Sequence, residues 1–147
     1  MTDVSDKTHV KILVYTKQED GYPPEEWESL WEIPMGNNKF KIDNIPFYAK
    51  NLSCDDIVEA IPNRDDYVFK NIVISSENST IRVVIYDLMD ERSVRNELVS
   101  LGCSSEGTGT LGLIAVNVPK YTLNDVLNFM ENAFADERLD FEEGALR

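Results

Sequence analysis

The hydrophobic and polar positions change their period once along the chain. From His9 to Ser75 the apolar residues come in short or alternating runs broken by Gly, Pro, Asn and Asp, the pattern of strands and tight turns. His9-Val-Lys-Ile-Leu-Val-Tyr15 reads as a strand with at least one face turned inward. Gln18 to Glu32 then carries six acidic residues and no basic one, and Gly21 with Pro23-Pro24 forbids a regular helix across its first half. An acidic loop running into a strand is expected there. Glu28 to Met35 and Lys39 to Ile45 are predicted strands joined by Gly36-Asn37-Asn38, residues that tolerate the positive φ of a tight hairpin. Pro34 makes the first an edge strand at best, and Pro46 ends the second. Ser53-Cys-Asp-Asp56 is placed to cap one short turn before Ile57 to Ile61, and Tyr67 to Ser75 supplies a further β-rich run. Residues 8–76 therefore predict a small barrel or a strongly twisted sheet.

Beyond the polar run Ser75-Ser-Glu-Asn-Ser79, a candidate boundary, strands alternate with helices. Thr80 to Asp87 reads as a strand, and Asp90 to Leu101 as a helix capped by Asp90 and closed by Gly102. Cys103 to Glu106 and Leu111 to Val118 flank Gly107-Thr-Gly109-Thr as a hairpin. Thr122 caps the next helix with Asp125 three residues on, and Leu123, Val126, Leu127, Met130 and Phe134 form one apolar stripe. With Leu139 to Glu142 returning as an edge strand, residues 80–147 have the order βαββαβ of a ferredoxin-like half. The fold class is α+β. Each half, at ~70 residues, is marginal for independent folding, so residues 1–147 are expected to form a single compact unit with one continuous core.

Charge narrows the function. The chain holds 14 Lys and Arg against 27 Asp and Glu, a net charge of −13, which repels phosphate backbones and anionic lipid and leaves basic proteins as the natural partners. Nucleic-acid and membrane binding are not expected. No run approaches the ~20 apolar residues of a membrane-spanning helix, and Met-Thr-Asp-Val-Ser-Asp lacks the basic start and apolar run of a signal peptide, so a cytoplasmic protein is expected, one that is monomeric when free. Cys54 and Cys103 make no framework or metal spacing and read as two free thiols.

The sequence holds no recognisable catalytic arrangement. His9 stands at the lip of the first strand without a serine or cysteine partner motif. Gly107-Thr-Gly109-Thr-Leu-Gly112 matches G-x-G-x-x-G, but it opens a strand where a pyrophosphate cradle must open a helix. Carboxylate pairs are abundant, and none has the register of a calcium loop. No enzyme activity, metal or cofactor is expected. The distinctive segment is Glu19-Asp20-Gly-Tyr22-Pro-Pro-Glu25-Glu26-Trp27-Glu28-Ser-Leu-Trp31-Glu32, where aromatics able to anchor an interface interleave with carboxylates able to steer a basic partner. The candidate partner-binding residues are Glu19, Asp20, Tyr22, Glu25, Glu26, Trp27 and Glu28, with Asp55, Asp56, Asp65 and Asp66 as a second acidic group. Trp27 and Trp31 stand at i and i+4, which places them on one face of a regular strand, and at least one of them is expected in the core.

Glu26-Trp27-Glu28-Ser29-Leu30-Trp31, Gly36 and Ile42-Asp43-Asn44-Ile45-Pro46-Phe47-Tyr48-Ala49 resemble the bacterial domain of unknown function 4265. Asp56-Ile-Val58-Glu-Ala60, Thr80-Ile-Arg-Val-Val84 and Leu101-Gly-Cys103-Ser-Ser-Glu106-Gly107 add to the resemblance, which runs from about Val10 to Gly144. It implies no catalytic residues. Some members resemble immunity proteins of polymorphic-toxin systems, which implies a cytoplasmic inhibitor of a cognate toxin domain of the ADP-ribosyltransferase or nuclease type. The expected function is occlusion of a basic toxin domain's substrate cleft by an acidic surface. The alternative is a non-catalytic regulatory or small-ligand-binding module.

Overall fold

Alternation of apolar and polar residues builds the first sheet strand by strand. The computed structural model describes residues 9–108 and 112–147, and the chain divides into two units, residues 1–76 and 77–147. The leading Met-Thr-Asp-Val-Ser-Asp lies outside the described residues. In the first unit, β1 (Val10–Tyr15) buries Ile12 and Val14, and β2 (Trp27–Gly36) buries Leu30 and Glu32. β3 (Lys39–Ile42) contributes Phe40 and Ile42, and β4 (Ile57–Asn63) contributes Val58 and Ala60. Successive strands pair antiparallel as far as β5 (Asp66–Ile74). β5 then lies parallel to β1, with Ile12 opposite Tyr67 and Leu13 opposite Val68, and so closes the sheet on itself. The inward residues form one apolar cluster, with Ala49 and Leu52 from the β3–β4 connection.

One local expectation needs correction, and two turns form where they were expected. Pro34 does not put β2 at an edge, because β2 pairs with both β1 and β3; Pro34 itself lies beyond the β1 pairing, which ends at Val10 opposite Glu32. Asn37 and Asn38, at φ 55° and 59°, make the turn into β3. Ser53 to Asp56 forms the short turn, with the Asp56 N–H donating to the Ser53 carbonyl at 3.2 Å, and Ile57 to Ile61 directly after it is the start of β4.

In the second unit, β6 (Ser79–Ile85) leads through a 3₁₀ turn at Leu88–Asp90 into α1 (Glu91–Ser100). β7 (Ser104–Gly107) and β8 (Leu113–Val118) follow, and their connection at residues 109–111, which includes Gly109 of the expected turn, lies outside the described residues. A second 3₁₀ turn at Lys120–Thr122 opens α2 (Leu123–Ala135), and β9 (Leu139–Ala145) ends the unit. The sheet order is β7-β8-β6-β9, with every pair antiparallel. Ile81, Val83 and Ile85 of β6 and Ile114, Val116 and Val118 of β8 form the core with Val94 and Leu98 of α1 and Val126, Met130 and Ala133 of α2. The α2 stripe ends on Ala133, and Phe134, one step round the helix, is left exposed. Neither expected helix cap forms a side-chain bond. Thr122 is buried, and the Asp90 carboxylate is taken by Arg138; Asp87 instead caps the 3₁₀ turn, accepting from the Met89 N–H at 3.0 Å. Gly102 closes α1 at φ 93°, and a Cβ there would meet the Tyr121 hydroxyl.

Candidate functional site

The acidic loop between β1 and β2 is pinned along its length. The Thr16 N–H donates to the Glu26 carbonyl and its hydroxyl to the Glu25 carbonyl, both at 2.7 Å. Gln18 Nε2 donates to the carbonyls of Pro23 at 3.0 Å and Pro24 at 3.2 Å. Glu19 and Tyr22 exchange backbone hydrogen bonds at 2.8 and 3.1 Å around Asp20 and Gly21, whose φ values of 54° and 77° suit a tight turn. The Tyr22 ring meets Tyr48 edge to face at 5.8 Å. Glu19, Asp20, Tyr22, Glu25 and Glu26 are thus exposed on a backbone whose order has already been established by folding, which lowers the entropy a partner must remove.

Beside the loop lies an aromatic sheet face. The β1–β2 register sets Tyr15 opposite Trp27, Leu13 opposite Ser29 and Lys11 opposite Trp31. Because Leu30 and Glu32 take the inward positions, both tryptophans face outward, with Trp27 45% and Trp31 53% exposed. The expectation that at least one fills the core is therefore overturned. Tyr15 and Trp27 meet edge to face at 5.4 Å. Tyr15 and Trp31 join the candidate surface although neither was among the expected contact residues. Their signal was present in the alternation of both strands, once the register was known.

Two expected contact residues are structural. The Glu28 carboxylate accepts the backbone N–H groups of Phe47, Tyr48 and Ala49 at 2.6, 3.1 and 2.7 Å, which consumes it inside the fold. Asp56 is fully buried and accepts from the backbone N–H groups of Ser53 at 2.9 Å and Ser76 at 2.7 Å. Asp55, Asp65 and Asp66 remain at the surface; Asp55 pairs with Lys41 and Asp66 with Lys11, each at 3.7 Å. Since Lys11 is the cross-strand neighbour of Trp31, its ion pair links Asp66 to the aromatic face.

Elsewhere three titratable groups, Glu32, Cys103 and His9, are tied up or shut away. Glu32 is buried in the first unit, neither carboxylate oxygen meets a partner among the described residues, and burial pushes its pKa up to about 8. Burial also pushes the Cys103 thiol up to about 11, which makes it a poor nucleophile. His9 bonds to Asp43. Among the described residues no three His, Cys, Asp or Glu side chains gather as a metal site, and no helix is long and apolar enough to cross a membrane. The second unit carries a cleft of about 470 Å³ lined by Leu88, Glu91, Arg92, Arg95 and Asn96, and another of about 380 Å³ lined by Asp87, Met89, Asp90, Glu137 and Arg138.

Residues 28–135 match the family described as a domain of unknown function, DUF4265. The chain belongs to this family. None of the curated proteins matches it. A solved structure, described as the novel crystal structure of a hypothetical protein from Neisseria gonorrhoeae, is 24% identical. That match covers 94% of this chain and 95% of the other with a TM-score of 0.76, so the two share a fold. The DUF4265 match begins at Glu28, which keeps Trp31, Asp55, Asp56, Asp65 and Asp66 within it and leaves Glu19 to Trp27 ahead of it. The pinned acidic turn thus lies ahead of the residues matched by the DUF4265 model.

Proposed function

We propose that this chain acts by binding a basic protein, as an immunity protein that occludes the substrate cleft of a cognate toxin domain. The observation that carries the reading is the exposed, hydrogen-bonded segment from Glu19 to Trp27, which runs directly into an outward Tyr15–Trp27–Trp31 face. Carboxylates on an ordered backbone can stand in for an anionic substrate, and half-exposed aromatics supply apolar area that is held ready for a partner. Binding is the whole mechanism, and the chain itself performs no chemistry. The reading includes a cytoplasmic, monomeric protein with a basic protein partner. It also takes the first unit as barrel-like and the second as ferredoxin-like, supported by the closed pairing of β1 to β5 and by the order β7-β8-β6-β9.

The test is capture from the producing bacterium with the tagged chain as bait, washed at low and moderate salt. A single stoichiometric basic toxin domain, whose activity the chain inhibits, is the expected result. Retention of no basic protein at either salt would overturn it. A second reading, a regulatory module that holds a small ligand, draws on the 470 Å³ cleft beside α1, whose volume lies in the range of ligand sites. It predicts no toxin among the neighbouring genes and a chain whose loss is tolerated.

A further inference from the structure

Trp27 and Trp31 are four residues apart on one face of β2, so their backbones stand about 13 Å from each other along the strand. Between them lies Ser29, a small exposed side chain, paired across the register with the half-exposed Leu13. In the strand register the two half-exposed indoles thus bound a strip of the outward sheet face, here called the slot and they its walls, with Ser29 and Leu13 between them. Tyr15, edge to face with Trp27, thickens one wall. At the other wall, Lys11 stands opposite Trp31 and is held by Asp66 at 3.7 Å, while the Asp43 N–H donates to the Trp31 carbonyl at 3.2 Å. Glu25 and Glu26 are exposed immediately ahead of Trp27, on the backbone that Thr16 fixes.

We propose that this slot receives arginine side chains of a basic protein, a proposal that rests on the protein-binding reading above and names the group it recognises. Indole faces attract cations through the ring quadrupole, and tryptophan does so best. The carboxylates at one end supply the countercharge, and the net charge of −13 draws a cationic segment in. Arginine fits better than lysine, because a planar and weakly hydrated guanidinium can lie flat on an indole and still present its N–H fork to a carboxylate. An apolar plug fits less well, since it would strand those carboxylates beside it.

The chain contains two tryptophans, both on this face, so intrinsic fluorescence reads the slot directly. The full chain is titrated with hexa-arginine and, separately, with hexalysine, which has the same charge. The expected result is a saturable change in emission with hexa-arginine binding at least about fivefold tighter than hexalysine. Ser29→Phe, which puts bulk between the walls without altering charge, should weaken hexa-arginine about tenfold with thermal unfolding unchanged. Equal affinities for the two peptides, or a Ser29→Phe protein that binds hexa-arginine as the wild type does, would overturn the proposal. The two readings fail separately. A toxin domain captured equally by wild-type and Ser29→Phe baits overturns the slot and leaves the immunity reading standing. Arginine selectivity without any captured basic protein does the reverse.

Discussion

Arg138 and Asp90, 48 residues apart, face each other fork to fork, with Nε 3.0 Å from one carboxylate oxygen and Nη2 3.2 Å from the other. Nη2 also donates to Glu97 at 2.8 Å, so one guanidinium ties the residue before β9 to both ends of the first two turns of α1. Its pKa is raised further by the hydrogen bonds with Asp90 and then Glu97. The groups are partly exposed, and solvent screens the pair. Arg138→Lys, which keeps the charge and loses the fork, should cost about 1 kcal/mol in a denaturant titration. A loss within error would mean that the fork is only a surface contact.

Glu32 sets the expected pH dependence of the first unit. Its folded pKa lies near 8, raised by burial from an ordinary value of 4.5. Between those values the folded state holds a proton that the unfolded state releases, so this residue's contribution to stability is fully present below about 4.5 and is lost as the pH rises through 8. Glu32→Leu removes both the slope and a buried carboxyl that meets no partner among the described residues. It should raise stability by roughly 1–3 kcal/mol at pH 7 and flatten the curve between pH 5 and 8. An unchanged slope in the variant would place the titration elsewhere.

Local pattern reached most of the elements because each strand and helix is written in neighbouring residues. β1, the Asn37-Asn38 turn, Gly102 after α1 and the Val126 to Met130 stripe are all legible in this way. The site was less so. Glu28 and Glu26 are the same residue type two positions apart, yet only tertiary closure brings the N–H groups of Phe47, Tyr48 and Ala49 onto Glu28. Asp56 likewise needs Ser76, twenty residues away, to become structural. Bulk argues for burial of the tryptophans, whereas the register gives the inward positions to Leu30 and to an acid, Glu32. No local rule would place a carboxylate there ahead of an indole.

Those two glutamates should separate cleanly on mutation. Glu28→Ala leaves three backbone N–H groups at the Phe47 to Ala49 turn without their acceptor and should cost about 2–3 kcal/mol. Glu26→Ala removes an exposed side chain and should stay within about 0.5 kcal/mol of the wild type. Matched thermal melts of the two variants decide this. Equal shifts would return Glu28 to the surface set.

Charge and aromatic contact should act on different rate constants once a basic partner is in hand. Glu25 and Glu26 are exposed and contribute to a long-range field, so reversing both to Lys should lower the association rate about tenfold and reduce its dependence on salt. Trp27 acts only at contact distance, where burying its half-exposed indole excludes water from the interface. Trp27→Ala should therefore leave the association rate nearly unchanged and raise the dissociation rate by about tenfold or more. Surface-plasmon measurements at two ionic strengths resolve the two effects. If the charge reversal changed dissociation alone, the carboxylates would be direct pairing groups and the steering argument would fail, since attraction at a distance cannot act after the complex has formed.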